Sequence, residues 1–378
     1  MAKLHLQKRR RLRVSRPCGA VWFAKPQAAA VLLLVMACVG AAPAFQEAIA
    51  PRAWSFPRDH GRHDGFKLEW WYYTGHLRDA SGHRFGYQLT FFRSAFRAQP
   101  IERQSPWAMT NLYFAHAAIS DIDAKSFIFK DRLQRARAGL AYASDQTLDV
   151  SLLDWSAKLE GDQTHLHAAD DGLSIDLTCG PGRGPVLEGP GGVNAKGREV
   201  GQASYYYSMT RLPTSGTLSI HNQTYQVEGQ SWMDHEFSSN ALGGSQIGWD
   251  WMGLHLSSGE DLMLYRLRNK SGGVDFLSGT RITPDGQPHY LSDRDLTMEP
   301  SEDWKSPTSG ASYPQRWLIQ CAGLPPLIVH SQMPGQELVT SGSSDVTYFE
   351  GAAEVLNADN NSPAGEGYLE MTGYAPAK

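Results

Sequence analysis

The sequence predicts a mainly β protein built of two antiparallel β-barrels in tandem, and three observations lead to this fold class. Aromatic residues crowd residues 68–77, where four rings follow one another at positions 70–73. Several later segments alternate polar and apolar residues with the two-residue period of strands. Residues 248–268 then repeat the pattern of the first aromatic segment, as two barrels of similar design would.

The first 44 residues are predicted to be an export signal. They carry eight basic and no acidic residues, then an apolar run at residues 28–39 and the small-residue motif Ala42-Pro43-Ala44. Two processing routes stay open: cleavage after Ala44, or lipidation of Cys38 in the lipobox-like stretch 35–38. We therefore expect a periplasmic or secreted protein, with peripheral membrane anchoring if Cys38 is lipidated.

The part that follows the signal is acidic. The whole chain has 35 basic and 39 acidic residues, and removal of the eight basic residues of the signal leaves 27 against 39, a net charge of −12. Such a charge opposes binding to the phosphate backbone, so no nucleic-acid partner is predicted. The two remaining cysteines, Cys179 and Cys321, specify no disulfide framework, and we expect them to be free and buried.

The mature chain is predicted to divide into an N-terminal domain, residues 45–230, and a C-terminal domain, residues 231–378. The internal repeat supports this division. Trp70 and His76 in the first domain recur at the same spacing as Trp249 and His255 in the second, each pair followed by a Ser-Gly turn.

The remaining elements follow from local patterns. Strands are predicted near residues 84–91, 112–116, 173–178, 205–209, 274–282, 317–321, 327–330 and 346–356, with a hairpin at 221–223. Residues 131–140 form either one short helix or a charged connection. Residues 299–314 are polar and contain proline, so they are predicted to be a loop.

Residues 180–201 are rich in glycine and proline and are predicted to form no regular element. Loops of this length are often functional or mobile. A phosphate-binding loop is the alternative, but neither a strand-then-helix context nor a Gly-Lys-Ser/Thr ending accompanies it.

The aromatic strand at residues 68–77 is the first candidate for ligand contact. Because side chains alternate along a strand, Trp70 and Tyr72 face one way, and Trp71 and Tyr73 face the other. Either one face lines a ligand cavity or all four rings belong to the core.

Three polar clusters are candidate sites for acid–base chemistry: residues 59–64, residues 234–236, and Asp250 with the neighbouring Tyr265 and Arg266. A carboxylate beside a histidine tunes a titratable pair, and aromatic surroundings stabilise a cation. A hydrogen-bonded structural cluster is the alternative for residues 234–236. The predicted catalytic residues are His235, Asp234, Glu236 and Tyr265. The predicted ligand-binding residues are His60, His63, Glu69, Trp70, Trp71, Tyr72, Trp249, Asp250, Trp251, Phe237 and Arg266.

Metal-ligating residue types are present, including His60, His63, His235 and the pair His165 and His167. Neither paired cysteines nor a His-Glu-x-x-His helix accompanies them. We therefore predict no metal and no cofactor.

Three motifs resemble those of the AttH/CrtC family: PRDHGRH…EWWYYTGHL, WMDHEFSS and GWDWMGLHLSSGEDLMLYRLR. This family groups AttH-like exported proteins linked to ABC transport systems with carotenoid 1,2-hydratases. The resemblance covers most of the mature chain and implies that the two barrels are lipocalin-like. It also implies a long, apolar, unsaturated ligand such as a lipid, an isoprenoid or a polyene.

The resemblance implies site residues as well. In the carotenoid hydratases a His-x-Trp pair and a Tyr-x-Asp pair carry the protonation and hydration of a double bond. Here His235 and Tyr265 match, whereas the tryptophan position is occupied by Phe237 and the aspartate position by Leu267. Carotenoid hydration itself is therefore not predicted.

Two hypotheses follow. The leading one is an exported lipocalin-like protein that binds a hydrophobic ligand and works with an ABC permease and ATPase. The alternative is a hydratase- or cyclase-type enzyme acting on an isoprenoid or polyene, with His235 and a nearby carboxylate as acid and base.

Overall fold

The computed structural model describes residues 44–98, 109–240 and 242–375. Within these ranges the chain forms 23 strands and two 3-10 helices of three residues, Arg58–His60 and Pro190–Gly192. None of the described helical segments is long and apolar enough to cross a membrane. The predicted signal, up to residue 43 and including Cys38, lies outside the described residues.

The first sheet contains strands β1 to β13, in the order β4-β3-β2-β1-β13-β12-β9-β8-β7-β6-β5, with β10 and β11 pairing to β12. Their bounds are β1 Leu68–Arg78, β2 Arg84–Ala95, β3 Asn111–Asp121, β4 Ser126–Arg135, β5 Ala141–Ala143, β6 Asp149–Leu152, β7 Trp155–Glu160, β8 Gln163–Asp170, β9 Leu173–Cys179, β10 Pro185–Leu187, β11 Val193–Ala195, β12 Ala203–Ile220 and β13 Gln223–Ser238.

The second sheet contains strands β14 to β23, in the order β17-β16-β15-β14-β23-β22-β20-β19-β18, with β21 pairing to β22. Their bounds are β14 Gln246–Leu256, β15 Asp261–Asn269, β16 Val274–Ile282, β17 Pro288–Leu291, β18 Leu296–Lys305, β19 Ser312–Cys321, β20 Leu327–Ser331, β21 Glu337–Val339, β22 Thr347–Asn357 and β23 Pro363–Thr372.

Each sheet curls around its own apolar core, so the predicted fold class, two tandem lipocalin-like antiparallel barrels, is confirmed. Trp71, Tyr73 and Tyr87 lie in the core of the first barrel, and Met252 and Trp317 lie in that of the second. Every second residue of a strand points inward, which fills each barrel largely with its own side chains.

The outer faces of the two barrels pack against each other through a third apolar cluster. Tyr72, Tyr206 and Trp232 come from the first barrel, and Trp251 and Met263 from the second. Close packing here needs a glycine at position 253, since an added Cβ would lie 2.6 Å from the ring of Trp251 and 3.1 Å from that of Trp232. Cys179 and Cys321 are free and buried, as predicted.

Several expectations about elements were wrong in detail. Residues 131–135 are neither helix nor connection but the end of β4, which pairs with β3 along its whole length. Residues 299–314 are mostly strand, because β18 and β19 form a hairpin there. Pro300 is tolerated because β18 is an edge strand, where a missing N–H leaves no central ladder bond unmade.

Three further expectations concern a long loop, a hairpin and the domain boundary. Residues 180–201 are largely irregular, but they include β10, β11 and the second 3-10 helix, which pack along β12. The predicted hairpin at 221–223 is present, with His221 and Asn222 at positive φ. The predicted domain boundary between residues 230 and 231 falls inside β13, since the first sheet extends to Ser238.

Candidate active site between the barrels

A cavity of about 340 Å³ lies between the two barrels rather than inside either one. Its walls come from β1, β2, β3, β12 and β13 of the first barrel, from β14, β15, β22 and β23 of the second, and from connecting segments that carry Lys196, Ser344 and Val346. A second cavity, of about 220 Å³, lies in the first barrel beside Tyr73 and Met233. The larger cavity is lined by most of the titratable residues described below.

Nine aromatic rings line the cavity. They are Trp70, Tyr72, Phe92, Phe114, Tyr206, Trp249, Trp251, Tyr265 and Tyr348. Rings from both barrels contact one another across the seam: Tyr72 meets Trp251 edge-to-face with ring centroids 5.3 Å apart. Such walls suit an apolar ligand and present π-faces to any positive charge inside.

Three carboxyl groups project into this apolar space. Asp234 and Glu236 come from β13, and Glu370 comes from β23 of the second barrel. The ammonium group of Lys196 accompanies them, since it lies 3.0 Å from Glu236 and over the rings of Tyr206 and Tyr265. The Glu236–Lys196 pair is therefore held in place by the aromatic wall.

Asp234 is surrounded by hydrogen-bond donors. Its Oδ2 accepts from the hydroxyl of Tyr206 at 2.7 Å, and its Oδ1 accepts from the indole N–H of Trp232 at 2.7 Å. The hydroxyl of Ser208 lies 2.6 Å from the same Oδ1. Burial raises the pKa of Asp234 to about 7, although these donors favour the charged form.

Glu370 has a different environment. Burial raises its pKa to about 7, and a hydrogen bond with Trp249 opposes the rise. The negative charges of Glu236 and Asp234 add to the effect. Glu370 pairs in register with Trp251 of β14, so the acid is placed against the tryptophan wall.

His235 does not line this cavity. It follows Asp234 in β13 and therefore points to the opposite face of the strand, into the first barrel. Its Nε2 lies 3.0 Å from Oε1 of Glu69, and its ring stacks on Trp71 with centroids 5.0 Å apart. Burial lowers the pKa of His235, with Glu69 opposing that shift.

The residues around Glu69 form a buried network. Its carboxylate accepts from His63 Nδ1 at 2.8 Å and from Arg93 Nε at 2.9 Å, and His63 Nε2 lies 3.1 Å from Asp59. Burial alone would raise the pKa of Glu69, but Arg93 and the two histidines hold it well below its usual range. The network links the Arg58–His60 turn to β1, β2 and β13.

His63, Glu69 and His235 place potential ligand atoms within 4.8 Å of one another. Those atoms already make the hydrogen bonds just described, and the guanidinium of Arg93 on Glu69 opposes a second positive charge. The residues therefore fit a hydrogen-bonded network better than a metal site. The absence of a metal remains a prediction.

The structure separates the predicted site residues by strand face. Three of the four predicted catalytic residues line the cavity: Asp234, Glu236 and Tyr265. The predicted ligand-binding residues in the wall are Glu69, Trp70, Tyr72, Trp249 and Trp251, with the Glu69 carboxylate engaged in the network above. Of the predicted and described residues, those outside the wall are His235, His60, His63, Trp71, Phe237, Asp250 and Arg266.

Asp250 and Arg266 illustrate the separation. Arg266 Nε donates to Asp250 at 2.7 Å and Tyr374 donates to it at 2.8 Å. Asp250 is fully buried. It lies between Trp249 and Trp251 in β14 and so points to the other face of that strand.

Several wall residues were not predicted. Lys196 belongs to the glycine- and proline-rich segment 180–201, Tyr206 to a run of three tyrosines, and Glu370 to the last strand. The first two carried usable signals: a loop too long for a plain connection and a strand with aromatic residues on both faces. A lone glutamate in β23 carried none.

The model of the AttH-like family matches residues 47–374 of the chain. A solved protein from Nitrosomonas europaea, assigned as an AttH, is 29% identical, with 88% of this chain and 100% of that chain covered and a TM-score of 0.80. Kievitone hydratase from Nectria haematococca is 15% identical, with 88% and 97% covered and a TM-score of 0.66. CghA is 11% identical, with 89% and 97% covered and a TM-score of 0.54. None of the curated proteins matches the sequence.

Proposed function

Because the chain belongs to the AttH-like family and its seam joins an aromatic cavity to buried carboxyl groups, we propose that it is a hydratase- or cyclase-type enzyme. Its substrate would be an apolar molecule with carbon–carbon double bonds, such as an isoprenoid or a polyene. The observation that carries this proposal is the position of Glu370, a carboxyl group in the wall of an apolar cavity, where burial raises its pKa to about 7.

The first step is proton transfer from Glu370. The π electrons of a substrate double bond form a new C–H bond with that proton, which leaves Glu370 as a carboxylate and a cation on the neighbouring carbon. The rings of Trp249 and Trp251 lie in the same wall and stabilise that cation. General acids of this kind contribute about 10² to 10⁴ in rate.

Asp234 takes the proton that completes the reaction. In a hydration, water bonds to the cation and loses its proton to Asp234; in a cyclisation, a second double bond attacks and a carbon loses the proton. Tyr206 and Trp232 each donate a hydrogen bond to Asp234, which favours its charged, proton-accepting form. Acid and base thus come from opposite barrels.

The position of Leu267 agrees with this assignment. Leu267 lines the cavity where the resemblance places the aspartate of the carotenoid hydratases. It pairs with Trp249 from one side of β14, while Glu370 pairs with Trp251 from the other side. An acid on β23 therefore reaches the same tryptophan wall that an acid on β15 would. Kievitone hydratase, whose fold is similar, supports the hydratase hypothesis by analogy alone.

Deuterium labelling tests the proposal. The protein is incubated in D2O with a panel of isoprenoids and polyenes, and products are analysed by mass spectrometry for one deuterium bonded to carbon. We expect incorporation by the wild type and a loss of about 10²-fold or more in Glu370→Gln. Asp176→Asn, at a carboxylate that lies outside the cavity wall with 69% of its side chain exposed, is the matched control. A folded wild type that incorporates no deuterium across the panel overturns the proposal.

Binding without turnover is the second candidate, and the apolar cavity wall favours it too. In that case an exported protein would hold a hydrophobic ligand for an ABC permease and ATPase. Native mass spectrometry separates the two: a carrier releases its ligand with unchanged mass, whereas the enzyme releases a product.

We also propose a periplasmic or secreted location from the basic N-terminal segment and its Ala42-Pro43-Ala44 motif.

A further inference from the structure

Glu188 lies directly behind Asp234, although the segment that carries it showed no sign of acid–base chemistry. It follows β10, and Gly189 at φ +87° turns the chain immediately after it. Its backbone N–H donates to the carbonyl of Tyr206 at 3.0 Å, which fixes it beside β12. The side chain is completely buried, and its Oε2 has no hydrogen-bond partner.

One hydroxyl group stands between the two carboxyl groups. Ser208 Oγ lies 2.9 Å from Oε1 of Glu188 and 2.6 Å from Oδ1 of Asp234. Ser208 pairs in register with Asp234 across β12 and β13, so this position is set by the sheet. A serine hydroxyl has a single proton and can donate to only one of the two oxygens. The other contact is a hydrogen bond only if one of the carboxyl groups is itself protonated.

The partners of each carboxyl group indicate where that proton resides. Asp234 already accepts from Trp232 and Tyr206, and the indole of Trp232 can only donate. Glu188 has one partnered oxygen and one bare oxygen in a fully buried site. The proton therefore belongs on Glu188, which donates to Ser208, and Ser208 in turn donates to Asp234.

Other titratable groups surround Glu188. Lys196 lowers its pKa and Asp234 raises it. The phenols of Tyr206, Tyr265 and Tyr290 interact electrostatically with Glu188. The nearby hydroxyl of Thr280, which completes no hydrogen bond, also lowers the pKa of Glu188. Burial is the largest influence and raises the pKa of Glu188 to about 8. The geometry and the electrostatics thus agree on a protonated Glu188 at neutral pH.

We propose that Glu188 is a positioning residue of the cavity, which shares one proton with Asp234 through the Ser208 hydroxyl and so keeps Asp234 a proton acceptor. This inference rests on the proposed role of Asp234 as base. It assigns a task to the 180–201 segment: the segment supplies both Glu188 behind the base and Lys196 beside the cavity.

Carboxyl NMR on protein labelled with ¹³C-aspartate tests the shared proton without any substrate. In the wild type, the Asp234 signal is expected to follow two titration steps, its own and a second near pH 8 when Glu188 loses its proton. Glu188→Gln keeps a neutral donor at the same place, so the first step stays and the second disappears. An Asp234 signal with the same titration in both proteins overturns the inference.

Turnover supplies an independent readout. Wild-type kcat is expected to fall above about pH 8, where Glu188 ionises and Ser208 loses one of its two partners, and Glu188→Gln, whose amide cannot ionise, is expected to show a weaker fall. Ser208→Ala is expected to lower kcat about tenfold, the equivalent of one buried hydrogen bond, and Ser208→Thr to restore it to within about threefold. Equal losses in Ser208→Ala and Ser208→Thr point to packing alone and contradict the shared proton.

The two tests separate this inference from the proposed function. Coupled titration without turnover overturns the enzyme assignment and leaves the shared proton standing. Turnover without coupled titration overturns only the role of Glu188.

Discussion

Asp234 and His235 are neighbours in sequence, yet their side chains lie on opposite sides of the first barrel wall. Asp234 lines the cavity between the barrels, whereas His235 bonds to Glu69 inside the first barrel. The alternation of side chains along β13 is the cause. A cluster that looks like one acid–base unit in the sequence therefore divides into a candidate active site and a structural network.

His235→Ala is expected to affect stability more than chemistry. The substitution leaves Glu69 Oε1 with one donor fewer in a fully buried site, which should cost about 3 kcal/mol of unfolding free energy. Urea denaturation measures this loss. His330→Ala is the control, since His330 is partly exposed and bonds Glu354 at 3.3 Å; it should change stability by less than about 1 kcal/mol. A loss of turnover in His235→Ala at full stability would contradict the structural role.

Two carboxyl groups, the fully buried Glu188 and the half-buried Glu370, predict how stability depends on pH. The pKa values of Glu188 and Glu370 are raised by burial to about 8 and about 7, so the folded protein keeps protons that the unfolded chain releases near pH 4 to 5. The free energy of unfolding should therefore fall as pH rises from about 5 to 7, by up to about 1.4 kcal/mol per pH unit for each group.

Glu188→Gln isolates the contribution of one group. It has no proton to lose, so its unfolding free energy, measured in urea at several pH values, should fall less steeply than that of the wild type between pH 5 and 8. Parallel curves for the two proteins would show that Glu188 ionises normally in the folded state.

The cavity is expected to prefer cations to neutral molecules of the same shape. Arg93 and Glu69 of the wall pair with each other, which leaves aromatic faces and the carboxyl groups of Asp234, Glu236 and Glu370 against the ammonium group of Lys196. A long-chain tertiary amine should bind about five- to thirtyfold more tightly than the matching alcohol, as one or two kcal/mol of cation–π and charge attraction imply. Quenching of tryptophan fluorescence gives both dissociation constants. Equal affinities would argue against stabilisation of a cationic intermediate.

An acid at position 267 should replace the acid at position 370. Both positions flank the tryptophan strand β14, one through Trp249 and the other through Trp251. We expect the double variant Leu267→Asp, Glu370→Gln to regain about a tenth or more of the turnover that Glu370→Gln loses, since a general acid again faces the double bond. Deuterium incorporation measures the recovery. Leu267→Asn in the same background is the matched control, and equal activity of the Asp and Asn versions would refute the exchange.

The sequence predicted the fold because its signals are local. Aromatic strands with two-residue alternation, turn residues and an internal repeat are all visible without a partner strand, and β1 and β14 lie where the repeat placed them. The errors arose where tertiary pairing overrides composition. The polar residues of β18 form a strand because they pair with β19 at a solvated edge.

The candidate site was harder to predict because it is formed by two outer faces. The sequence indicated which strands carry the functional residues but not which face of each strand meets the other barrel. Trp70 and Trp249 line the cavity while Trp71 and Asp250 do not, and only the packing of the barrels decides this. Glu370 joins the site because β23 pairs with β14, more than a hundred residues earlier in the chain. Glu188 joins it because β10, the short strand directly before it, pairs with β12.

The seam location of the cavity has an evolutionary consequence. Each barrel has its own apolar core, and the larger cavity lies outside both, so outward-facing positions such as Leu267 and Val346 can be exchanged without reopening either core. New substrate specificities can then arise from a few substitutions in the cavity wall while both barrels keep their cores. Such an arrangement lets related proteins diverge in chemistry while their architecture stays the same.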